Sequence, residues 1–251
     1  MKSKKIRQLI LEMIYTAQSG HPGGSLSLVE ILLALFDSQE GIFRKKKDRF
    51  ILSKGHGVPA VYAIMHTELN MLSLHELMTL RKLNSPLQGH PDRVKMPFLE
   101  TSTGSLGQGA SVAQGLAIAL PDSFVYCIVG DGELQEGQIW EMALSSGFRK
   151  LHNLKIIIDY NKIQLDGFIK DILDLEPLDK KWLAFNWDVD IVDGHDVDQI
   201  RKALQKKTDK PHVLICNTVK GKGVSFMENS VEWHGKAPSL DLFNQAKKEL
   251  L

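Results

Sequence analysis

At 251 residues the chain is long enough to bury a full core, and 43% hydrophobic with 24% charged residues places it among soluble globular proteins. A net charge of +1 argues against a nucleic-acid or acidic-surface partner. The two cysteines, Cys127 and Cys216, sit inside apolar runs, which excludes a disulfide framework and fits a reducing, cytoplasmic setting; no apolar stretch is long enough to span a bilayer.

The N-terminus opens with charges, but its apolar residues recur at helical spacing around Arg7, Gln8 and Glu12. That pattern predicts a helix over 4–19 and rules out a signal-peptide core. A second helix is expected over 27–37. The basic run from Arg44 to Arg49, broken by Asp48, reads as a solvated loop leading into a strand over 49–53. Helices follow over 58–68 and 73–82, the latter opened by Ser73 with Glu76 three residues on, a capping-box pattern. Next come a helix over 106–119, a strand over 123–129, a helix over 137–149 and a strand over 154–160. A helix over 179–185, a strand over 189–192, a helix over 196–207 and a strand over 213–218 complete the alternation. FVYCIV and LKIIID are apolar almost throughout, as befits parallel strands covered on both faces. The expected fold is therefore α/β, a doubly wound, mostly parallel sheet with helices on both faces. No repeat or low-complexity linker interrupts residues 1–251, so one domain is expected. Ligands of such sheets bind beyond the carboxyl ends of the strands.

Two polar segments stand at those ends. Gly130-Asp131-Gly132-Glu133 follows FVYCIV, and Asp159-Tyr160-Asn161-Lys162-Ile163 follows LKIII. The helix over 137–149 makes them one βαβ unit, so neighbouring parallel strands bring Asp131 and Asn161 together. A carboxylate, an amide oxygen and a backbone carbonyl are hard ligands suited to Mg²⁺ or Ca²⁺, and Mg²⁺ tends to complete its shell with substrate phosphates and water. A tight turn at Asp131 and a helix cap at Asn161 would account for the same letters. Four histidines beside glycine lie in predicted loops: His21 in SGHPGG, His56 in SKGHG, His90 in QGHPD and His234 in WHGK. Histidine both donates to phosphate and moves protons near neutral pH. Gly104-Ser105-Leu106-Gly107-Gln108-Gly109 opens the 106–119 helix, where free N–H groups can meet an anion, although packing alone also favours glycine there.

These motifs resemble the transketolase family. Gly-Asp-Gly followed about thirty residues later by Asn is similar to the thiamine diphosphate motif. GDGELQEGQIWE is more specific, and SGHPGGSLS, LSKGHGVPAVY, LNSPLQGHPD, STGSLGQG and VEWHGKAP follow in family order from residue 19 to 238. The resemblance implies a diphosphate-binding domain using thiamine diphosphate with Mg²⁺ (or Ca²⁺). Asp131, Asn161 and the Ile163 carbonyl match the metal ligands, while Gly130, Gly132 and Glu133 accompany them at the diphosphate. His56 and His234 match histidines at the diphosphate and reacting centre; His21 and His90 match residues near the donor and acceptor hydroxyls. Gly104, with Ser105 beside it, matches the carbonyl that holds the aminopyrimidine, and Leu106 packs there. Ile163 and Leu165 match residues on the thiazolium ring, and Glu136 and Glu141 match interface carboxylates.

The implied activity is two-carbon ketol transfer from a ketose or its phosphate to an aldose acceptor. The resemblance stops where a complete transketolase continues into pyrimidine-binding and C-terminal domains. A natural subunit of a split enzyme is expected from the Met1 start and the amphipathic LFNQAKKELL finish, with a fragment of a longer enzyme as the other reading. The expected partner is a complementary C-terminal transketolase subunit carrying the pyrimidine-binding domain, in a heterotetramer with two copies of each chain. The alternatives are other thiamine diphosphate enzymes, deoxyxylulose phosphate synthase-like or 2-oxo acid dehydrogenase-like, and a non-catalytic scaffold subunit.

Overall fold

The computed structural model describes residues 2–44 and 46–251. Met1, taken from the sequence as a natural start, and Lys45 of the basic run lie outside them. Among the described residues five strands form one sheet: β1 (Arg49–Leu52), β2 (Val125–Gly130), β3 (Leu154–Tyr160), β4 (Asp188–Asp193) and β5 (His212–Asn217). Their order is β1-β2-β3-β5-β4 and every pairing is parallel. The helices are α1 (Lys2–Ala17), α2 (Pro22–Leu26), α3 (Val29–Phe36), α4 (Val58–Thr67), α5 (Leu74–Leu77) and α6 (Gln108–Ala119). They continue as α7 (Gly137–Arg149), α8 (Ile169–Ile172), α9 (Leu178–Ala184), α10 (Val197–Leu204) and α11 (Leu240–Glu249).

The two-residue period of the strands divides the core in two. Val125, Cys127 and Val129 point to one face with Ile156, Ile158 and Ile215, where Ala113 of α6, Met142 of α7 and Trp182 of α9 cover them. Tyr126, Ile128, Ile157 and Leu214 point to the other, packed with α1, α3, α4, α10 and α11. Handedness explains the division: α7 steps from β2 on to β3, whereas α10 steps back from β4 to β5. Right-handed crossovers taken in opposite directions put their helices on opposite faces. Both cysteines are buried and free.

Each predicted strand is present to within two residues at either end. The expected helix over 73–82 is shorter than its spacing suggests. The capping box forms, with Ser73 Oγ accepting from the Glu76 N–H and the Glu76 carboxylate from the Ser73 N–H. The helix nevertheless stops at Leu77 and the chain continues as linked turns, with Arg81 at φ 59° and Asn84 at φ 65°. Helix α2, over Pro22–Leu26, was not expected, because two glycines and a serine disguise it. No helix of the described residues is long and apolar enough to cross a membrane.

Candidate active site

Because all five strands run the same way, their carboxyl ends share one edge of the sheet. Gly130 pairs with Asp159 in register, which puts the loops after β2 and β3 side by side. A cleft of ≈ 370 Å³ opens there, and His21, His56, His90 and His234 all line it. The rings meet: His21 stands 5.5 Å from His56, 5.8 Å from His90 and 5.6 Å from His234, centroid to centroid, and His56 stands 5.2 Å from His234. Four loops separated by up to 213 residues of sequence thus deliver one imidazole cluster.

The cluster is held neutral. Burial, then the charges of Arg81, His90, Lys220 and Lys54, pushes His21 down to about 4. Burial followed by Lys220 lowers His234 to about 3. His56 lies well below the ordinary value, from burial and then Lys54, and His90 is lowered by burial and then Arg81.

Asp131, Gly132, Asn161, Ile163 and Leu165 line the same cleft, together with Gly104, Leu106 and Gly130. Asp131 is buried, accepting 2.8 Å from the Gly132 N–H and also from the Lys162 N–H. Burial first, and the neighbouring Asp159 second, raise its carboxyl to about 7. Asp159 is itself fully buried but meets the Lys54 ammonium and the Ser27 and Thr218 hydroxyls. Those contacts overcome its burial and keep it below the usual carboxylate value. The Asn161 amide donates to Asp159 at 3.3 Å while its oxygen accepts from the Ile163 N–H at 3.2 Å. Among the described residues no group of three or more His, Cys, Asp or Glu side chains is placed to hold a metal. The expected ligand set has a single carboxylate.

Four expected residues stand differently from the rest. Glu133 borders the cleft, but its buried carboxylate accepts from the Ser53 hydroxyl, the Gly107 N–H at 2.8 Å and the Gly130 N–H at 3.1 Å. The anion at the start of α6 is therefore the protein's own. Gly107, at φ 84° with Gln138 packed over it, allows the tight entry that presents that N–H. Ser105 is exposed and outside the cleft lining, and Glu141 is exposed on the outer side of α7. Glu136 is exposed at the cleft margin.

Sequence reasoning missed three cations. Lys54 is buried between Asp159 and the Gly24 carbonyl, 3.1 Å away. Lys220 is buried as well; its ammonium reaches the Ile163 carbonyl at 2.9 Å, the Gln164 carbonyl at 3.2 Å and His234 Nδ1 at 2.9 Å. Burial and then Lys54 lower Lys220 to about 8. Arg81 reaches His21 from the turn after α5. The available signals were the glycines flanking Lys54 and Lys220 in SKGHG and VKGKG. Behind the site Glu30 of α3 takes both guanidinium nitrogens of Arg7, at 2.9 and 2.6 Å, and His195 Nδ1 at 2.9 Å. His195 Nε2 accepts the Val219 N–H at 2.9 Å, next to Lys220.

Residues 2–250 match the family described as transketolase, thiamine diphosphate binding domain. The chain is 41% identical to the 6-deoxy-6-sulfo-D-fructose transketolase subunit SqwG of Clostridium sp., over 98% of this chain and 93% of that protein. It is 42% identical to one subunit of the apulose-4-phosphate transketolase of Actinobacillus succinogenes, over 99% of this chain and 94% of that one. Among solved structures, the transketolase of Leishmania mexicana superposes with a TM-score of 0.90 at 30% identity, covering 99% of this chain. The Campylobacter jejuni transketolase gives 0.88 at 31%, also over 99% of this chain. The chain spans 40% and 42% of those two longer proteins. It belongs to the transketolase family, as a thiamine diphosphate-binding domain.

Proposed function

We propose that the chain is the cofactor-binding subunit of a two-chain transketolase, moving a two-carbon ketol unit from a ketose or ketose phosphate to an aldose acceptor. The observation that carries this reading is the meeting of His21, His56, His90 and His234 beside Asp131 and Asn161. Neutral imidazoles there can hydrogen-bond sugar hydroxyls and phosphate oxygens without repelling one another.

The cleft fits the cofactor and its metal. A carboxyl raised to about 7 by burial and a second carboxylate, with Lys54 offsetting this only in part, favours a divalent ion beside it. Asp131, the Asn161 amide oxygen and the Ile163 carbonyl would hold Mg²⁺ (or Ca²⁺), the diphosphate completing the shell. When bound, thiamine diphosphate supplies the carbanion and the electron sink that carbon–carbon cleavage needs. His56, His234 and the backbone at Gly132 are assigned to the diphosphate side, where Lys54 and Lys220 add positive charge. Gly104 and Leu106 are assigned to the pyrimidine, and Ile163 and Leu165 to the thiazolium ring. His21 and His90 are assigned to the substrate hydroxyls.

A second chain completes the enzyme in this reading. The outer sides of α6 and α7 expose Val112, Leu144 and Phe148, and Gly115 on α6 faces open space. Large apolar side chains exposed on two packed helices suit an interaction face, and the exposed Glu136 and Glu141 lie at the start of and within α7. The relatives that this chain covers almost end to end carry the word subunit in their names. The partner is a complementary C-terminal subunit with the pyrimidine-binding domain, in a heterotetramer with two copies of each chain. The continuous sheet supports one domain over 1–251, and the free buried cysteines fit the cytoplasm. The two relatives are named for different sugars, 6-deoxy-6-sulfo-D-fructose and apulose-4-phosphate. The test is ketol transfer measured on the isolated chain and on its complex with the co-purified partner. Activity only in the complex is expected; ordinary turnover by the isolated chain refutes the reading.

A further inference from the structure

Arg81 is placed with unusual care for a residue in a turn. Its backbone sits at φ 59°, a costly conformation for a side chain of this size. A Cβ on Gly89 would stand 2.4 Å from its guanidinium carbon, so the loop before His90 needs glycine to let Arg81 through. The guanidinium then donates to Ser19 Oγ at 3.1 Å and approaches His21 Nδ1 at 3.3 Å and the Gly89 carbonyl at 3.5 Å, while its buried Nε has no partner among the described residues. A strained backbone, a close glycine and an unpaired buried nitrogen are all accepted to bring this group to His21.

The contact decides the chemistry of the ring. Arginine only donates hydrogen bonds and stays protonated at any working pH. His21 Nδ1 must therefore offer its lone pair, and the proton of a neutral ring goes to Nε2. A second proton on Nδ1 would face the guanidinium directly. The charges that act most on His21 are those of Arg81, His90, Lys220 and Lys54, and the rings it meets are His56, His90 and His234.

Resting on the reading above for the substrate alone, we propose that Arg81 is a positioning residue that locks His21 as the neutral Nε2–H tautomer. His21 then serves as a hydrogen-bond donor to a sugar oxygen in the cleft, and another group removes protons.

The deciding experiment is long-range ¹H–¹⁵N correlation of the histidine rings in the full-length labelled chain, from pH 8 to pH 5, with His21 assigned by its loss in H21N. A pure Nε2–H pattern that does not titrate over this range is expected in the wild type and in R81K, which keeps a donor. R81L should show a mixture of tautomers. A wild-type ring carrying Nδ1–H, a ring that protonates near pH 6.5, or an unmixed Nε2–H pattern in R81L overturns the proposal. If R81L does not fold, the wild-type and R81K spectra decide. In the assembled enzyme R81L should lower kcat/KM by up to ~10²-fold, the scale of one lost donor, with partial rescue in R81K. An inactive assembly whose wild-type spectrum shows the Nε2–H pattern counts against the assigned reaction and leaves the role of Arg81 standing.

Discussion

Replacing Glu30 by glutamine tests the buried network behind the site. Glu30 and Arg7 are 6% and 5% exposed, and the carboxylate takes two bonds from Arg7 and one from His195. Burial alone would raise the Glu30 carboxyl, but His195 and then Arg7 outweigh it and bring it from 4.5 to about 2. That lowering corresponds to about 3 kcal/mol of stability. For a depressed carboxyl this contribution is complete above pH 4.5 and is lost as pH falls through about 2. E30Q also leaves Arg7 as a buried cation without its counter-charge, which is strongly destabilising. Urea unfolding at pH 7 should show a loss of about 3 kcal/mol, or roughly 6–12 °C in Tm for a domain of this size. The gap between wild type and E30Q should stay constant from pH 8 to 5 and narrow below 4.5. A gap under about 1 kcal/mol at pH 7, or one unchanged down to pH 3, would refute the reasoning.

Other outcomes follow from the site itself. N161A should weaken binding of thiamine diphosphate with Mg²⁺ to the reconstituted complex by at least ~10-fold in calorimetry, with unchanged far-UV circular dichroism; full affinity would remove Asn161 from the ligand set. His21 and His234 have ring values of about 4 and about 3, below the ordinary 6.5. The stability they contribute is full above pH 6.5 and lost as pH falls through those values. The chain should therefore melt lower at pH 5 than at pH 7, and H21N/H234N should reduce the difference; an equal drop in the double variant shows that these rings do not drive it. F148D, on the outer side of α7, should leave unfolding within ~0.5 kcal/mol of wild type while abolishing co-purification of the partner chain. Retained association would place the interface elsewhere.

Much of this molecule could be read from its letters, and the physical reasons differ by element. FVYCIV and LKIIID read as buried parallel strands because such short apolar runs, ending in glycine and polar residues, fit a strand covered on both faces. One βαβ unit then brought Asp131 beside Asn161 without any further information. The histidines were another matter: composition marks four glycine-flanked rings, but only the family resemblance put them in one cleft, since their loops are linked through the whole sheet. Glu133 was expected beside the diphosphate; its carboxylate accepts from Ser53, Gly107 and Gly130, a set of donors drawn from three separate segments that no spacing announces. Lys54 and Lys220 were passed over because lysine is seldom fully buried. Arg81 was assigned to a helix whose spacing was right, but the chain leaves that helix in turns that bring its guanidinium to His21.

The order β1-β2-β3-β5-β4 sets a timetable for synthesis. Strand β5, interior to the sheet between β3 and β4, is the last of the five to be made, and β3 keeps an open hydrogen-bonding edge until residues 212–217 emerge. A nascent chain halted near residue 211 would carry that apolar edge unpaired, the template from which strand-to-strand aggregation grows. The segments bearing Lys220 and His234 follow β5, so the cleft is finished only after the sheet is sealed. A finished cleft thus reports synthesis at least as far as His234.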